Sequence, residues 1–153
     1  MRTVRVTRRI AAPPERVFDL LADHANYDRF RGVRHSELLG EGEPRPNGVG
    51  AMRLVKSGPI HFEEEVTTYE RPSKLDYLIV KINAPYEHEG GRIRLTEEDG
   101  GTLAEWTSVF RVPTPVVGGI QERLWAFTLG RGFRRVLEDI ERLTSESDSP
   151  PLV

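Results

Sequence analysis

Cysteine is absent from the 153 residues of this sequence. A chain without cysteine has no disulfide framework, no thiolate metal site and no cysteine nucleophile. An excess of charge of either sign is also missing, because 22 Lys and Arg residues nearly balance 24 Asp and Glu residues. The composition gives no electrostatic reason to expect a nucleic-acid partner. The lack of cysteine fits a reducing compartment, and we expect a cytoplasmic protein.

Long apolar runs are missing as well. No segment approaches the roughly 20 apolar residues of a membrane span. The arginines among the first ten residues are not followed by the apolar run that a secretory signal needs. The length suits one domain, because two domains would both be undersized. We therefore expect one intracellular, soluble domain that is a monomer or a homodimer.

Short motifs of the common catalytic and metal sites are not found. The four histidines, His24, His35, His61 and His88, do not have the spacing of metal ligands. Ser57 lacks the Gly-x-Ser-x-Gly frame of a serine nucleophile, and there is no phosphate-binding loop. The sequence predicts neither a metal nor a cofactor.

Hydrophobic periodicity changes twice along the chain. A period of two predicts strands at 3–10, 34–40, 50–56, 60–69, 75–83, 87–97 and 102–112, separated by turns rich in proline, glycine and asparagine. Pro14 and Glu15 begin a short helix after the first strand, and a second turn of helix is expected at 26–30. After Pro115 the period returns to 3.6, which predicts a long C-terminal helix. The pattern indicates an α+β domain over 1–144, followed by a disordered tail at 145–153.

This order of elements resembles the START-like, Bet v 1-like (SRPBCC) superfamily, and within it the polyketide cyclase/dehydrase-type proteins. The residues that carry the resemblance are Ile10-Ala11-Ala12-Pro13-Pro14-Glu15-Arg16-Val17-Phe18, Tyr27, Gly48-Val49-Gly50, Glu64-Glu65-Val66, Pro72, Gly101-Thr102 and Trp106. The resemblance implies a helix-grip fold, in which a seven-stranded curved antiparallel sheet wraps the C-terminal helix. It also implies an internal cavity for a small hydrophobic or amphipathic molecule such as a lipid, a polyketide or an aromatic metabolite.

Candidate ligand-binding residues follow from the alternation of side chains along a strand. If Trp106 faces the helix, alternation places further candidates on the same inner face: Arg53, Phe62, Glu64, Glu89 and Ser108. The same alternation turns Thr68 inward, but Thr68 is not one of the candidates. The resemblance adds Tyr77. The apolar face of the C-terminal helix contributes Trp125, Leu129 and Phe133. By the same alternation, His61 and His88 point outward.

The charged members of this set have alternative interpretations. In one interpretation, Arg53 and Glu64 form a buried salt bridge with each other, and Glu89 lies at the solvent-exposed opening of the cavity. In the other, the three side chains hold the polar end of a ligand. In a cyclase or dehydratase, Glu64 or Glu89 would be the base, with Arg53 and Tyr77 as donors to an enolate.

The apolar stretch around Trp125 also has more than one interpretation. Trp125 and Phe127 lie on opposite sides of the predicted helix. They can pack against the short helices and the loop after Ser57, cover the cavity as a lid, or contact another subunit. A third function, an interaction module that uses this helix side, therefore stays open beside binding and catalysis.

Overall fold

The computed structural model describes residues 1–148, and these contain seven strands and two α-helices. The strands are β1 (Arg2–Ile10), β2 (His35–Gly40), β3 (Met52–Ser57), β4 (Ile60–Glu70), β5 (Lys74–Ile82), β6 (Glu87–Glu98) and β7 (Gly101–Arg111). Helix α1 (Pro14–Ala22) and a 3₁₀ helix (His24–Arg29) follow β1, and α2 (Gly118–Asp148) ends the described chain. The predicted α+β architecture with two short helices after the first strand is confirmed.

All seven strands form one antiparallel sheet with the order β1-β7-β6-β5-β4-β3-β2. Strands β2 to β7 are a meander, and β1 pairs with β7 so that Val6 lies opposite Trp106. The inner face of β7 is buried at alternate positions, including Ala104, Trp106, Ser108 and Phe110. The alternation predicted for this strand is therefore confirmed.

Charged pairs cover the outer face of the sheet. Arg94 and Glu105 are direct cross-strand partners, as the sequence predicts. Their ion pairs nevertheless go to other strands: Arg94 Nη1 lies 2.5 Å from Asp76 Oδ1, and Arg5 Nε lies 3.3 Å from Glu105 Oε1. Ion pairs at the surface, such as these exposed or partly buried ones, contribute little stability each.

Helix α1 begins at Pro14, whose fixed φ and missing N–H suit the first helical position. Its buried side is formed by Val17, Phe18, Leu21 and Ala22, which pack into the core between the sheet and α2. The helix ends at Ala22, with Asp23 as its C-cap, and the 3₁₀ helix follows directly. This segment closes one end of the space inside the curved sheet.

Helix α2 packs against the sheet through its C-terminal half. Leu137 and Ile140 are fully buried there. Asp139 is also buried and accepts hydrogen bonds of 2.9 Å from both the backbone N–H and the Nε of Arg31. The helix continues to Asp148, four residues past the predicted end, because neither glycine nor proline occurs between Gly132 and Pro150. The rest of the predicted tail, 149–153, lies outside the described residues.

Candidate functional site

A buried ion pair lies at the centre of the inner face. Arg53 on β3 and Glu64 on β4 are direct cross-strand partners, and Arg53 Nη2 donates a short hydrogen bond to Glu64 Oε1. The guanidinium carbon of Arg53 lies 4.1 Å from the centre of the Tyr27 ring, which gives a cation–π contact. Burial raises the pKa of the Glu64 carboxyl, and the charge of Arg53 acts in the opposite direction. The predicted salt bridge between these two residues is confirmed.

His24 lies beside this pair at the start of the 3₁₀ helix, and only 2% of its surface is exposed. Burial lowers its pKa to about 3, and the positive charge of Arg53 acts in the same direction. The imidazole is therefore neutral at pH 7. The backbone of Asn47 acts in the opposite direction on this pKa, yet neither ring nitrogen has a partner at hydrogen-bond distance and angle within the described residues.

Arg53 also has buried donors without a partner. Its Nε and Nη1 have no partner at hydrogen-bond distance and angle within the described residues, although the Tyr27 side chain lies close enough to interact with the guanidinium. Arg53 lines a small, mostly enclosed cavity of about 10 Å³, and the full set of lining residues is Leu21, His24, Tyr27, Arg53, Glu64, Val66, Leu75, Tyr77, Ile93 and Trp106. A cavity of this volume holds about one water molecule. The interior thus contains several polar atoms whose hydrogen-bonding capacity is unused.

Aromatic rings fill the remaining space. Trp106 stacks on Phe133 of α2 with the ring centres 4.2 Å apart, and its Nε1 donates a 2.9 Å hydrogen bond to the Tyr77 hydroxyl. The Tyr77 ring lies over Gly91, the residue opposite on β6. The prediction of an open hollow between the sheet and α2 is therefore wrong, because the rings of Trp106, Tyr77 and Phe133 occupy that space.

The start of β6 differs from the predicted alternation. A β-bulge between His88 and Gly90 adds one residue to this strand relative to β7. Glu89 is consequently exposed, and His88 points inward. The prediction that Glu89 lies in the cavity is wrong, and so is the outward orientation of His88. A similar irregularity on β4 between Val66 and Thr68 turns Tyr69 toward the core in place of Thr68.

The hydrogen bonds of His88 define its tautomer. Its Nδ1 accepts a 2.9 Å hydrogen bond from the backbone N–H of Ile79, so the proton of the neutral ring is on Nε2. Nε2 lies 3.0 Å from the hydroxyl of Ser108 and donates to it. Burial lowers the pKa of His88 to about 4. His88 thus links β5 to β7 as a neutral side chain.

Helix α2 covers this region incompletely. Trp125 packs against Tyr86 with the ring centres 4.7 Å apart, and Tyr86 in turn stacks on Phe110. Phe127, however, is 66% exposed. The interpretation that Phe127 packs against the short helices is therefore wrong, whereas Trp125 does cover the inner face.

Four of the ten predicted site residues line the small cavity: Arg53, Glu64, Tyr77 and Trp106. The other inward residues surround them: Ser108 is buried, Phe133 stacks on Trp106, and Leu129 and Trp125 pack against the core. Phe62 is only half-buried and lies outside the core cluster.

The burial of His24 was not predicted from the sequence. The signal was present, since His24 follows Leu21 by three residues and Val17 by seven and so continues the buried side of α1.

Other parts of the structure offer less for a ligand. A groove of about 410 Å³ lies beside the β6–β7 turn, but its walls carry paired charges, including Arg9 with Glu98. Within residues 1–148, no group of three His, Asp or Glu side chains is arranged to hold a metal ion. No helix in the same range is long and apolar enough to cross a membrane.

Solved structures share this fold at low sequence identity. The protein TTHA0849 from Thermus thermophilus is 19% identical, with a TM-score of 0.79 over 97% of this chain and 100% of that chain. A START superfamily protein from Mycobacterium smegmatis is 15% identical, with a TM-score of 0.75 over 93% and 99%. Ara h 8.0201 is 16% identical, with a TM-score of 0.69 over 95% and 98%. These similarities show that the chain shares the fold of these proteins.

The sequence itself matches one family description. No curated protein matches this sequence. Residues 1–144 match the family described as "Polyketide cyclase / dehydrase and lipid transport", whose members in general bind hydrophobic ligands. The match covers nearly the whole chain, including every strand and most of α2. The chain therefore belongs to the polyketide cyclase/dehydrase and lipid transport family.

Proposed function

We propose that this protein binds a small, mostly apolar molecule with one carbonyl or hydroxyl oxygen, between the inner face of the sheet and α2. The observation that carries the proposal is the set of unused buried donors on Arg53. A buried donor without a partner costs about 1–3 kcal/mol. A ligand oxygen that accepts from Arg53 Nε or Nη1 would remove this cost.

The surroundings of Arg53 support an uncharged polar group on the ligand. Glu64 already balances the charge of Arg53, so the pair is neutral as a unit. A carboxylate would add an uncompensated negative charge, and burying it would cost several kcal/mol. His24 is neutral and can donate to, or accept from, the same ligand group.

Ligand entry requires side chains to move, because the present cavity has room for about one water molecule. Trp106 lines the cavity and stacks on Phe133 of α2, and Trp125 in the N-terminal half of the same helix packs on Tyr86. Trp125 and Leu129 in this half are only partly buried. We propose that this half of the helix moves outward, and that the ligand takes the place of the Phe133 ring against Trp106.

The test uses two probes that differ by one oxygen, 2-naphthol and naphthalene, in NMR titrations of the backbone amides. We expect both to shift resonances of β3, β4 and the 3₁₀ helix, with 2-naphthol binding at least about tenfold more tightly. A hydrogen bond to a charged group contributes about 1.5–3 kcal/mol. Arg53→Lys keeps the charge but removes the forked donors, and His24→Phe removes the ring nitrogens, so each should reduce the preference for 2-naphthol.

The matched control is Arg92→Lys, which makes the same exchange on an exposed side chain. This variant should keep the full preference for 2-naphthol. If neither probe shifts any interior resonance or raises the melting temperature, the interior is a packed scaffold and the proposal is wrong.

A cyclase or dehydratase activity is the second candidate. Glu89 is exposed and drops out as the base. The observation in favour is that Glu64 and the neutral ring of His24 line the same cavity beside the Arg53 donors. That arrangement can remove a proton next to a carbonyl and hold the enolate. If a substrate is turned over, Glu64→Gln should abolish the reaction, and an unchanged rate would exclude Glu64 as the base.

Two further expectations are part of this proposal. The absence of cysteine supports a cytoplasmic location. The nearly balanced charge supports a small molecule as the partner and gives no reason to expect nucleic acid. We expect the protein to be a monomer or a homodimer.

A further inference from the structure

An apolar stripe is exposed on the outer side of the N-terminal half of α2 and on the two residues that precede the helix. We define the apolar stripe as Val116, Val117, Ile120, Leu124 and Phe127. The last three are each more than 60% exposed and lie at i, i+4 and i+7 on one side of the helix. Scattered exposed apolar residues are normal, but a contiguous set of large ones marks an interaction surface.

The backbone before the helix adds a second observation. Val116 has a φ of 70°, which lies in the left-handed region and is costly for a β-branched residue. Its side chain is fully exposed, so no packing within the described chain compensates for this conformation. The segment thus displays an apolar side chain in water at a conformational cost.

Positive charge surrounds the apolar stripe. Arg123, Arg131 and Arg134 are exposed on the same side of α2, and none of them forms an ion pair within the described part of the chain. Between 112 and 137 the only acidic residue is Glu122. Its carboxylate points inward, where it accepts from the Val112 N–H and lies 3.7 Å from the N-terminal amino group.

We propose that the apolar stripe and its arginines dock this protein on a bilayer surface that carries anionic phospholipids. Apolar side chains on one side of a helix insert at the boundary between headgroups and acyl chains. Arginines at the edges of such a side reach the phosphates. A second copy of the chain is a poorer partner, because a symmetric contact would bring the unpaired arginines of both copies together.

The lipid surface also suits the position of the apolar stripe in the fold. The inner side of the same helical segment carries Trp125, which packs on Tyr86 above the sheet. A bilayer that binds the outer side would therefore contact the part of α2 that we propose moves. The docking proposal does not depend on the cavity, and it stands if 2-naphthol fails to bind.

The test is sedimentation of the full chain with phosphatidylcholine vesicles, with and without phosphatidylglycerol, at low and high salt. We expect binding to the anionic vesicles that weakens with salt. Leu124→Ser and Phe127→Ser should each lower the affinity at least about tenfold, because a large buried apolar side chain is lost. Arg131→Gln and Arg134→Gln should each lower it about fivefold.

Matched controls are Leu39→Ser and Arg92→Gln, which change exposed residues elsewhere. Both should bind the anionic vesicles like the unchanged protein, and circular dichroism should show all variants folded. Absence of binding to anionic vesicles, or equal binding by the Leu124 variant, would overturn the proposal. A dimer in sedimentation velocity that Leu124→Ser dissociates would also overturn it and identify the apolar stripe as a contact between copies.

Discussion

The two halves of α2 meet the rest of the protein in different ways. The C-terminal half places Leu137, Ile140 and Asp139 in the core, where they contact the sheet and the loop after the 3₁₀ helix. The N-terminal half places Trp125 over the chamber, which is the space between the inner face of the sheet and α2. On its other side it leaves Leu124 63% exposed. One continuous helix therefore combines a part that stabilises the fold with a part that is free to serve a ligand or a surface.

The most direct way to break this comparison is to remove the same side chain from each half. Leu137→Ala should lower the free energy of unfolding by about 2–5 kcal/mol, because it leaves a cavity in the core. Leu124→Ala should change it by less than about 0.5 kcal/mol, since the side chain is mostly in water. Urea denaturation measures both, and similar losses in the two variants would contradict the division of α2.

Two glycine-to-alanine substitutions, one against the Tyr77 ring and one on α2, sharpen the comparison. A Cβ at Gly91 would lie 2.1 Å from the Tyr77 ring, so Gly91→Ala must displace Tyr77 and disturb its hydrogen bond with Trp106. We expect a loss of about 1–3 kcal/mol and a changed tryptophan fluorescence. Gly132→Ala on α2 meets nothing within 4 Å and should stabilise by up to about 1 kcal/mol. Equal signs for the two variants would show that the chamber is not tightly packed around Tyr77.

The smallest effect concerns pH and the chamber histidines. The pKa values of His24 and His88 are lowered by burial to about 3 and about 4, from about 6.5 in the unfolded chain. Below pH 6.5 the unfolded state binds more protons, so the free energy of unfolding falls as the pH drops toward these folded values. Each histidine should cost about 1.4 kcal/mol at pH 5.5.

Urea denaturation at pH 7.5 and pH 5.5 checks this expectation. His24→Phe should remove about half of the loss of stability, whereas the exposed His35→Asn control should keep all of it. A loss that is the same in His24→Phe and in the unchanged protein would show that His24 titrates normally in the folded state.

The sheet and its inner face could be predicted in large part from the sequence. Alternation around Trp106 gave the correct burial of Arg53 and Glu64, because β3 and β4 pair regularly between these positions. The assignment failed at Glu89 because regular alternation does not survive a bulge. Gly90 and Gly91 were the available signal, since glycine inside a strand often marks such an irregularity.

The filled chamber was beyond what the sequence could show. A pattern of apolar residues states which side chains point inward, but it does not state whether they meet. The stack of Trp106 on Phe133 depends on how closely α2 approaches the sheet, and this distance has no local sequence signal. The burial of His24 depends likewise on how the 3₁₀ helix closes the end of the sheet.

The central claim is that a ligand oxygen takes up the unused donors of Arg53, and a crystal structure with 2-naphthol tests it most directly. We predict the hydroxyl oxygen at hydrogen-bond distance from Arg53 Nε or Nη1, with the rings against Trp106 and Phe133 displaced. A structure in which 2-naphthol lies only on the outer surface, with Phe133 still stacked on Trp106, would contradict the account.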